Sequence, residues 1–299
     1  MKQLVILSGK GGTGKTSVTA AFAHLVSLEA DSHRAILADA DVDAANLELI
    51  LAPKIIERQD FIGGSLAKIN PDICTLCGDC VQICRFDAIH EHGDLYQVDS
   101  IACDGCAACV YQCPVGAISM REQVVGQWFC SETCYGPLFH AALRLAQENS
   151  GKLVTQVKQR VQLMALDENY DFVLVDGPPG IGCTVISATS GADLALIVAE
   201  PTVASIHDMH RVFETVDHFG VKALICINKA DLYPEGATEI EHFCREKEID
   251  IVGKIPFDTA VTQSMVQGKP VTVFRPESAA SLALRTVWSR VAGVLWDQE

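Results

Sequence analysis

The 299-residue chain lacks several features that would point to an exported, membrane or nucleic-acid-binding protein. No apolar run reaches the length of a membrane span, and no secretory leader precedes the apolar residues 4–7. The helical pattern at 278–296 is not a strongly basic amphipathic tail, which argues against membrane docking. A formal net charge of −15 argues against general binding to nucleic-acid phosphates. We therefore expect a cytoplasmic protein with no membrane insertion and no nucleic-acid partner.

The composition instead favours a folded protein that binds metal. Hydrophobic residues make up 49% of the chain, enough for a sizeable core in one large domain or two smaller ones. Because the chain has no export signal, its thirteen cysteines are interpreted as metal ligands in preference to disulfides.

A glycine-rich loop at residues 8–16, Ser-Gly-Lys-Gly-Gly-Thr-Gly-Lys-Thr, lies between an apolar run at 4–7 and a helical pattern at 17–28. This context and the spacing Gly-x4-Gly-Lys-Thr are typical of a P-loop. The loop N–H groups and the helix N-terminus would surround a phosphate. Lys15 would reach the β- and γ-phosphates, and Thr16 would hold Mg²⁺. The loop residues expected to bind nucleotide are Gly11, Gly12, Thr13, Gly14, Lys15, Thr16 and Ser17.

Acidic residues follow two other apolar runs. Asp39, Asp41 and Asp43 come after the run at 34–38, and Asp176 closes the run at 170–175. Carboxylates at the ends of buried parallel strands would lie beside the nucleotide crevice, where Asp176 is the expected magnesium-side carboxylate. The alternative for the first group is a solvated acidic loop.

Two cysteine runs with matched spacing occupy the middle of the chain. They are Cys74-x2-Cys77-x2-Cys80-x3-Cys84 and Cys103-x2-Cys106-x2-Cys109-x3-Cys113-Pro114. This spacing is typical of two [4Fe-4S] clusters, whereas a four-cysteine zinc site normally pairs two shorter knuckles.

The fourth cysteine of each run in a two-cluster ferredoxin binds the other cluster. The expected ligands are Cys74, Cys77, Cys80 and Cys113 for cluster 1, and Cys103, Cys106, Cys109 and Cys84 for cluster 2. Arg85 stands where a proline is usual. An inward Arg85 would raise the potential of cluster 2, and an outward one is an equal alternative.

The order of these motifs predicts an insertion. The P-loop precedes the cysteine block, whereas Asp176 and three further strand–helix units follow it. The fold class is therefore α/β, with a mostly parallel sheet, helices on both faces and an inserted α+β ferredoxin domain. The expected bounds are 1–62 and 122–299 for the nucleotide-binding domain and 63–121 for the insert. We also expect a short strand and loop at 53–61 and a helix at 138–146.

The chain resembles the MinD/ParA/Mrp superfamily of deviant P-loop ATPases, in the form that carries an inserted ferredoxin domain. The resemblance rests on the two-lysine loop, Asp39-Ala-Asp41-Val-Asp43, both cysteine runs, residues 128–138 and Asp176-Gly-Pro-Pro-Gly. It implies that Lys10 crosses a dimer interface to the phosphates of the other subunit. It also implies that Asp41 orients the attacking water, with Asp43 as the competing candidate, and that Asp39 lies near Mg²⁺.

The resemblance also implies a base site. Asn228 would contact adenine, and the segment 255–258, which includes Pro256, would pack on the base. Because Asn228-Lys-Ala-Asp231 also matches the guanine-reading tetrapeptide of GTPases, GTP remains an alternative to ATP.

These observations predict an ATPase that forms an ATP-dependent homodimer, in which Lys10, Lys15 and Asp41 are catalytic. The cofactors would be ATP, Mg²⁺ and two [4Fe-4S] clusters, and the role would be metal-cofactor or iron–sulfur assembly, or gated electron delivery to a protein partner. Two alternatives are an electron carrier with a regulatory nucleotide site and a metallochaperone with a labile intersubunit cluster.

Cys130 and Cys134 lie outside both cysteine runs. A turn at 131–133 would bring their thiols together, and a second subunit would have to complete a four-coordinate metal site. A pair of unremarkable cysteines and a disulfide are the alternatives.

Overall fold

The computed structural model describes residues 1–29, 33–144 and 150–296. Its strands are β1 (Lys2–Ser8), β2 (Ala35–Asp39), β3 (Lys54–Ile69), β4 (Ile89–His92), β5 (Leu95–Val98), β6 (Ile118–Thr133), β7 (Gly136–Leu143), β8 (Phe172–Pro179), β9 (Leu194–Ala199), β10 (Lys222–Asn228) and β11 (Asp250–Ile255). Its helices are α1 (Lys15–Ser27), α2 (Leu47–Leu51), α3 (Asp79–Ile83), α4 (Ala108–Gln112), α5 (Ser150–Asp167), α6 (Cys183–Thr189), α7 (Val203–His218), α8 (Pro234–Glu246), α9 (Thr259–Val266), α10 (Val271–Phe274) and α11 (Ala279–Trp296).

The main sheet has the strand order β11-β10-β9-β1-β8-β2-β7-β6-β3. The strands from β11 to β7 pair in parallel, with Val5 opposite Val175 and Ala38 opposite Phe139. β1, β2 and β9 are buried along almost their whole length, as expected for parallel strands covered on both faces. The expected α/β fold with a mostly parallel sheet is confirmed.

The chain divides into two compact units. Unit 1 comprises Met1–Arg58, Trp128–Ala142 and Ser150–Glu299, and unit 2 consists mainly of Gln59–Gln127. β3 and β6 contribute residues to both units. The P-loop and all strands from β8 onward therefore belong to unit 1, and both cysteine runs belong to unit 2.

The two units have different interiors. Unit 1 has a broad aliphatic and aromatic core, in which Phe22 and Trp288 lie with ring centroids 5.0 Å apart. A central cluster of only five buried residues is found in unit 2: Ala67, Cys80, Ile89, Cys109 and Ile118. Two of the five residues in this buried cluster are therefore cysteines.

Two expected elements differ in the structure. Residues 138–143, which we expected to be helical, belong to β7, and residues 145–146 of that expected helix lie outside the described residues. Pairing with β2, with Leu37 opposite Leu138, overrides the local helical periodicity. The short strand and loop expected at 53–61 is instead the beginning of the 16-residue β3, most of whose first half is exposed.

Among the described residues, no helix combines the length and the apolar character that a membrane crossing requires.

Candidate functional site

A cavity of about 590 Å³ opens at the carboxyl end of the unit 1 sheet. Its lining combines the P-loop, the acidic loop after β2, the end of β8, the end of β10 and one side of α9. The lining residues include Gly11, Gly12, Gly14, Lys15, Thr16, Ser17, Asp41, Asp43, Pro178, Asn228, Lys229, Val261 and Met265. This is the crevice in which α/β sheets bind ligands, and its volume lies in the usual range for such sites.

The loop before α1 has a backbone that only small residues allow. Gly14 has φ 92°, in the left-handed region, and a Cβ at this position would overlap the Asn228 amide. Gly9 lies so close to Asp208 of α7 that a side chain could not be placed there. Lys15 is 5% exposed at the first position of α1. Because Lys15, Thr16 and Ser17 line the cavity, the start of α1 faces the space that a phosphate would occupy.

Two fully buried carboxylates lie at the ends of neighbouring strands, in register at Asp39 and Asp176. Burial is the main cause that raises the pKa of each. Asp176 Oδ1 accepts a hydrogen bond of 2.8 Å from Thr19, while its buried Oδ2 has no partner among the described residues. A buried, unpartnered carboxylate oxygen beside Thr16 suits a hard cation such as Mg²⁺.

Asp39 fixes the acidic loop. Its carboxylate accepts backbone hydrogen bonds from Asp41 at 3.1 Å, Asn46 at 3.1 Å and Leu47 at 3.0 Å. Because both of its oxygens are engaged, Asp39 acts on the cavity mainly by holding the loop and the start of α2 in place.

Asp41 lines the cavity beside the P-loop. Burial raises the pKa of Asp41 to about 6, with Lys15 acting in the opposite direction and Asp176 and Asp43 adding to the rise. Asp43 lines the same cavity. Both candidates for water positioning therefore line the ligand space.

Asn228 contacts the P-loop itself. Its amide Nδ2 donates to the Thr13 carbonyl at 2.7 Å, and the neighbouring Lys229 Nζ donates to the Gly12 carbonyl at 3.1 Å. Asn228 lines the cavity, but Pro256 is outside the set of described residues that do so. At this end the cavity is closed by α9, through Val261 and Met265.

Lys10 is not among the described residues that line this cavity, and its side chain contacts residues of its own subunit. Its Nζ lies 3.4 Å from Glu200 Oε2 and 3.3 Å from Thr202 Oγ1. The other oxygen of Glu200 pairs with Lys229. The Glu200 carboxylate thus pairs with two lysines, one within the phosphate loop and one beside it.

Unit 2 contains two separate cavities lined by cysteines. The cysteines of the first are Cys74, Cys77, Cys80 and Cys113, and those of the second are Cys84, Cys103, Cys106 and Cys109. Each cavity thus combines three cysteines of one run with the fourth cysteine of the other run.

The surroundings of the two cavities repeat. The Ala117 N–H donates to Cys113 Sγ at 3.2 Å, and the Ala88 N–H donates to Cys84 Sγ at 3.4 Å. Left-handed backbone occurs on both sides of Cys77, at Leu76 (φ 56°) and Gly78 (φ 82°), and on both sides of Cys106. A non-glycine residue in this region is strained, and such strain is typical of ligand-binding loops.

Within the described residues, no group of three or more His, Cys, Asp or Glu side chains is close enough to hold a single metal ion.

The expected turn between Cys130 and Cys134 is not formed. β6 continues to Thr133, which puts the two cysteines about 13 Å apart along an extended chain. Cys130 is buried, whereas Cys134 is exposed in the turn to β7. The idea that a local turn unites these thiols was wrong, because strand pairing extends through the polar residues 131–133.

Sequence reasoning gave no role to three residues around the nucleotide cavity, Thr19, Glu200 and Lys229, although Lys229 stands within the tetrapeptide 228–231. Thr19 lies one turn into α1, where no motif marks it. Glu200 and Lys229 follow directly after β9 and β10, at the same sheet edge as Asp39 and Asp176. The rule that singled out those aspartates, a charged residue at the end of a buried strand, would also have found this pair.

The fold and the site together define a P-loop nucleotide-binding protein. The family model for the CobQ/CobB/MinD/ParA nucleotide binding domain matches residues 4–271. An uncharacterized protein of Methanocaldococcus jannaschii is 35% identical over 257 residues, 86% of this chain and 84% of that one. The septum site-determining protein MinD of Bacillus subtilis is 24% identical over 296 residues, 97% of this chain and 88% of MinD.

Solved structures agree on the fold. The septum site-determining protein MinD of Pyrococcus horikoshii, in complex with Mg-ADP, has a TM-score of 0.58 at 20% identity. The match covers 100% of this chain and 98% of the MinD chain. The MinC:MinD cell division protein complex of Aquifex aeolicus has a TM-score of 0.59 at 21% identity. This match covers 98% of this chain and 96% of the chain in the complex. The chain belongs to the CobQ/CobB/MinD/ParA nucleotide-binding family.

Proposed function

We propose that the protein is a Mg²⁺-dependent ATPase that dimerises with ATP and carries two [4Fe-4S] clusters in an inserted ferredoxin-type domain. It would act in metal-cofactor or iron–sulfur assembly, or in gated electron transfer to a protein partner. The observation that carries the proposal is the pair of cavities in unit 2, each lined by the four cysteines expected to form one ligand set. The same chain contains the P-loop cavity.

The domain assignment is part of the proposal. The ferredoxin-type domain would occupy residues 63–121, between nucleotide-binding segments at 1–62 and 122–299. The repeated N–H···S hydrogen bonds at Cys84 and Cys113 support it, since donors to ligand sulfur are a usual feature of cluster sites. When bound, such clusters supply one-electron transfer.

The nucleotide chemistry would be divided among the cavity residues. The P-loop backbone and Lys15 would hold the β- and γ-phosphates, and Thr16 and Asp176 would hold Mg²⁺, with Asp39 supporting the loop beside it. Asp41 would orient the attacking water. The Mg-ADP complex of the similar MinD structure supports an adenine nucleotide over GTP, and Asn228 would approach the base from the end of β10.

A homodimer is proposed for the nucleotide-bound state, with Lys10 reaching the phosphates bound by the partner subunit. The proposal rests on the second lysine of the loop, which the family resemblance places at the dimer interface. In the structure Lys10 pairs with Glu200 of its own subunit, and it would have to leave that pair to reach the partner's phosphates.

The test is anaerobic purification of the full chain, followed by counting iron and sulfide and recording EPR spectra with and without MgATP. We expect about eight iron atoms per chain, the number that two [4Fe-4S] clusters hold. Cys77→Ser should lower the iron content by about half and leave MgADP binding intact. Cys183→Ser is the matched control, because this exposed cysteine lies outside both cavities. Zinc in place of iron would overturn the cluster assignment.

A hydrolysis assay separates the ATPase from the plain electron carrier. Turnover that is lost in Asp41→Ala while both cluster signals remain would support the proposal. Normal cluster reduction with no detectable turnover in the wild type would favour an electron carrier in which nucleotide only sets structure.

A further inference from the structure

Glu200 occupies an unusual position next to the phosphate loop. Its side chain is 11% exposed and lies between two lysines, Lys10 at 3.4 Å and Lys229 in direct contact. The Glu200 backbone N–H donates to Ser205 Oγ at 3.1 Å, which fixes the residue at the start of α7. The Glu200 backbone is therefore fixed and its carboxylate is largely buried, whereas the two lysine side chains are 34% and 31% exposed.

The backbone of Lys10 is fixed, so only its side chain could move away from Glu200. Its backbone carbonyl accepts a hydrogen bond of 2.7 Å from Ser8, and the preceding Gly9 packs tightly against Asp208. The Lys10 ammonium group is held by Glu200 and by the Thr202 hydroxyl at 3.3 Å. Any approach of this ammonium to a phosphate of another subunit requires that both contacts break.

We propose that Glu200 is a positioning residue that holds Lys10 within its own subunit and thereby sets how readily the ATP dimer forms. This inference rests on the proposed dimer. A bound triphosphate competes with Glu200 for Lys10, because its charge exceeds that of one carboxylate that is already shared with Lys229. Without nucleotide, Glu200 keeps Lys10 paired within its own subunit and so favours the monomer.

Removing either contact should therefore favour the dimer. Glu200→Gln weakens the ion pair. Thr202→Val leaves Lys229 untouched but removes two contacts, the hydroxyl contact to Lys10 and the N-cap bond that the hydroxyl accepts from the Ser205 N–H, so the stability of each Thr202 variant is measured as well. For a partly exposed ion pair, we expect the dissociation constant of the dimer to fall about two- to fivefold in Glu200→Gln. Thr202→Val should change it in the same direction by less, and Thr202→Ser, which keeps the hydroxyl, should match the wild type.

The experiment is sedimentation velocity of the anaerobically purified full chain, with magnesium and the non-hydrolysable analogue AMPPNP. MgADP affinity of each monomer is measured alongside, to show that the cavity is intact. The gain in Glu200→Gln should shrink at high ionic strength, because salt screens an exposed ion pair, whereas a packing effect would not respond in this way.

Lys10→Gln distinguishes the role of Glu200 from the proposed dimer itself. If Lys10→Gln loses the dimer while Glu200→Gln and Thr202→Val dimerise like the wild type, the holding role of Glu200 is overturned and the proposed dimer stands. If Lys10→Gln dimerises normally, both the role of Glu200 and the proposed crossing of Lys10 are wrong. Should Glu200→Gln fail to fold, Thr202→Val against Thr202→Ser still decides.

Discussion

Unit 1 buries a broad core of aliphatic residues, Phe22, Phe172 and Trp288 around its sheet, whereas the central cluster of unit 2 has five buried residues, two of them cysteines. A segment of the size of Gln59–Gln127 has little interior from which to gain stability by burial alone. Unit 1 has the core of an independently stable domain. If unit 2 holds the proposed clusters, we predict that it needs them to remain folded, whereas unit 1 should stay folded when iron is removed.

The tryptophans make this difference measurable. All three tryptophans of the chain, Trp128, Trp288 and Trp296, belong to unit 1. Tryptophan fluorescence therefore follows the unfolding of unit 1, and the visible absorbance of iron–sulfur clusters would follow unit 2 in the same sample.

The largest effect is expected from removing iron. Treatment with a chelator under reducing, anaerobic conditions should unfold unit 2, because binding of metal supplies folding free energy in small metal domains. Limited proteolysis should then cut within 59–127, while the fluorescence transition and MgADP affinity of unit 1 change little. Protection of 59–127 from protease after complete loss of iron would contradict the comparison.

The second-largest effect is expected from a substitution in unit 1 that should leave unit 2 unchanged. Lys15→Ala removes the buried cation of the P-loop, and we expect MgATP affinity to fall by about 10- to 100-fold. Iron content and the cluster absorbance should not change, because Lys15 belongs to unit 1. Lys222→Ala, an exposed lysine at the start of β10, is the control. Loss of iron in Lys15→Ala would mean that the units do not behave separately.

The features of the site that sequence predicted best are those in which spacing alone defines the chemistry. The P-loop and the first three cysteines of each run depend on short intervals along the chain, and the fourth cysteine of each set follows from the known exchange between the two runs of a two-cluster ferredoxin. The structure brings both sets of cysteines together as cavity linings. The contacts of Lys10 and Asn228 were not predictable in this way. They depend on Glu200 and Thr13, which are distant in sequence and adjacent only because parallel strands end at one edge.

The errors in the fold have one physical cause. Residues 138–143 and 131–133 have local patterns that favour a helix and a turn, but both form strands of one hairpin. Strand pairing is decided by partners elsewhere in the chain, such as Leu37 opposite Leu138, which a local pattern does not contain. The parallel strands β1, β2, β8, β9 and β10 were predictable because burial on both faces gives continuous apolar runs.

A change confined to the chemical step, with no effect on fold or cluster content, is expected at the acidic loop. Asp41→Ala should still bind MgATP and should slow its hydrolysis by about 100-fold or more, because a residue that positions or activates water contributes that much. Steady-state ATPase assays with Asp43→Ala as the matched variant measure this. If Asp43→Ala stalls and Asp41→Ala does not, the water-positioning role belongs to Asp43.

The smallest expected effect is a pH dependence confined to unit 1. Lys158 of α5 is buried, and its Nζ donates to the carbonyls of Ser187 at 3.0 Å, Ala188 at 2.7 Å and Ser190 at 2.5 Å, at the end of α6. Burial lowers the pKa of Lys158 from 10.5 to about 8. Because the unfolded chain then binds more protons than the folded one between these values, the stability of unit 1 should rise as pH increases.

From pH 7 to pH 9 this group should add about 1 kcal/mol to the free energy of unfolding of unit 1. Urea unfolding followed by tryptophan fluorescence measures it, with Lys158→Met as the control that lacks the titrating group. The comparison between variants is needed because Cys226 and Cys244, whose pKa values burial raises to about 12 and about 11, act with the opposite sign at the alkaline end. An equal pH slope in wild type and Lys158→Met would show that the three carbonyls stabilise the charged amine enough to offset its burial.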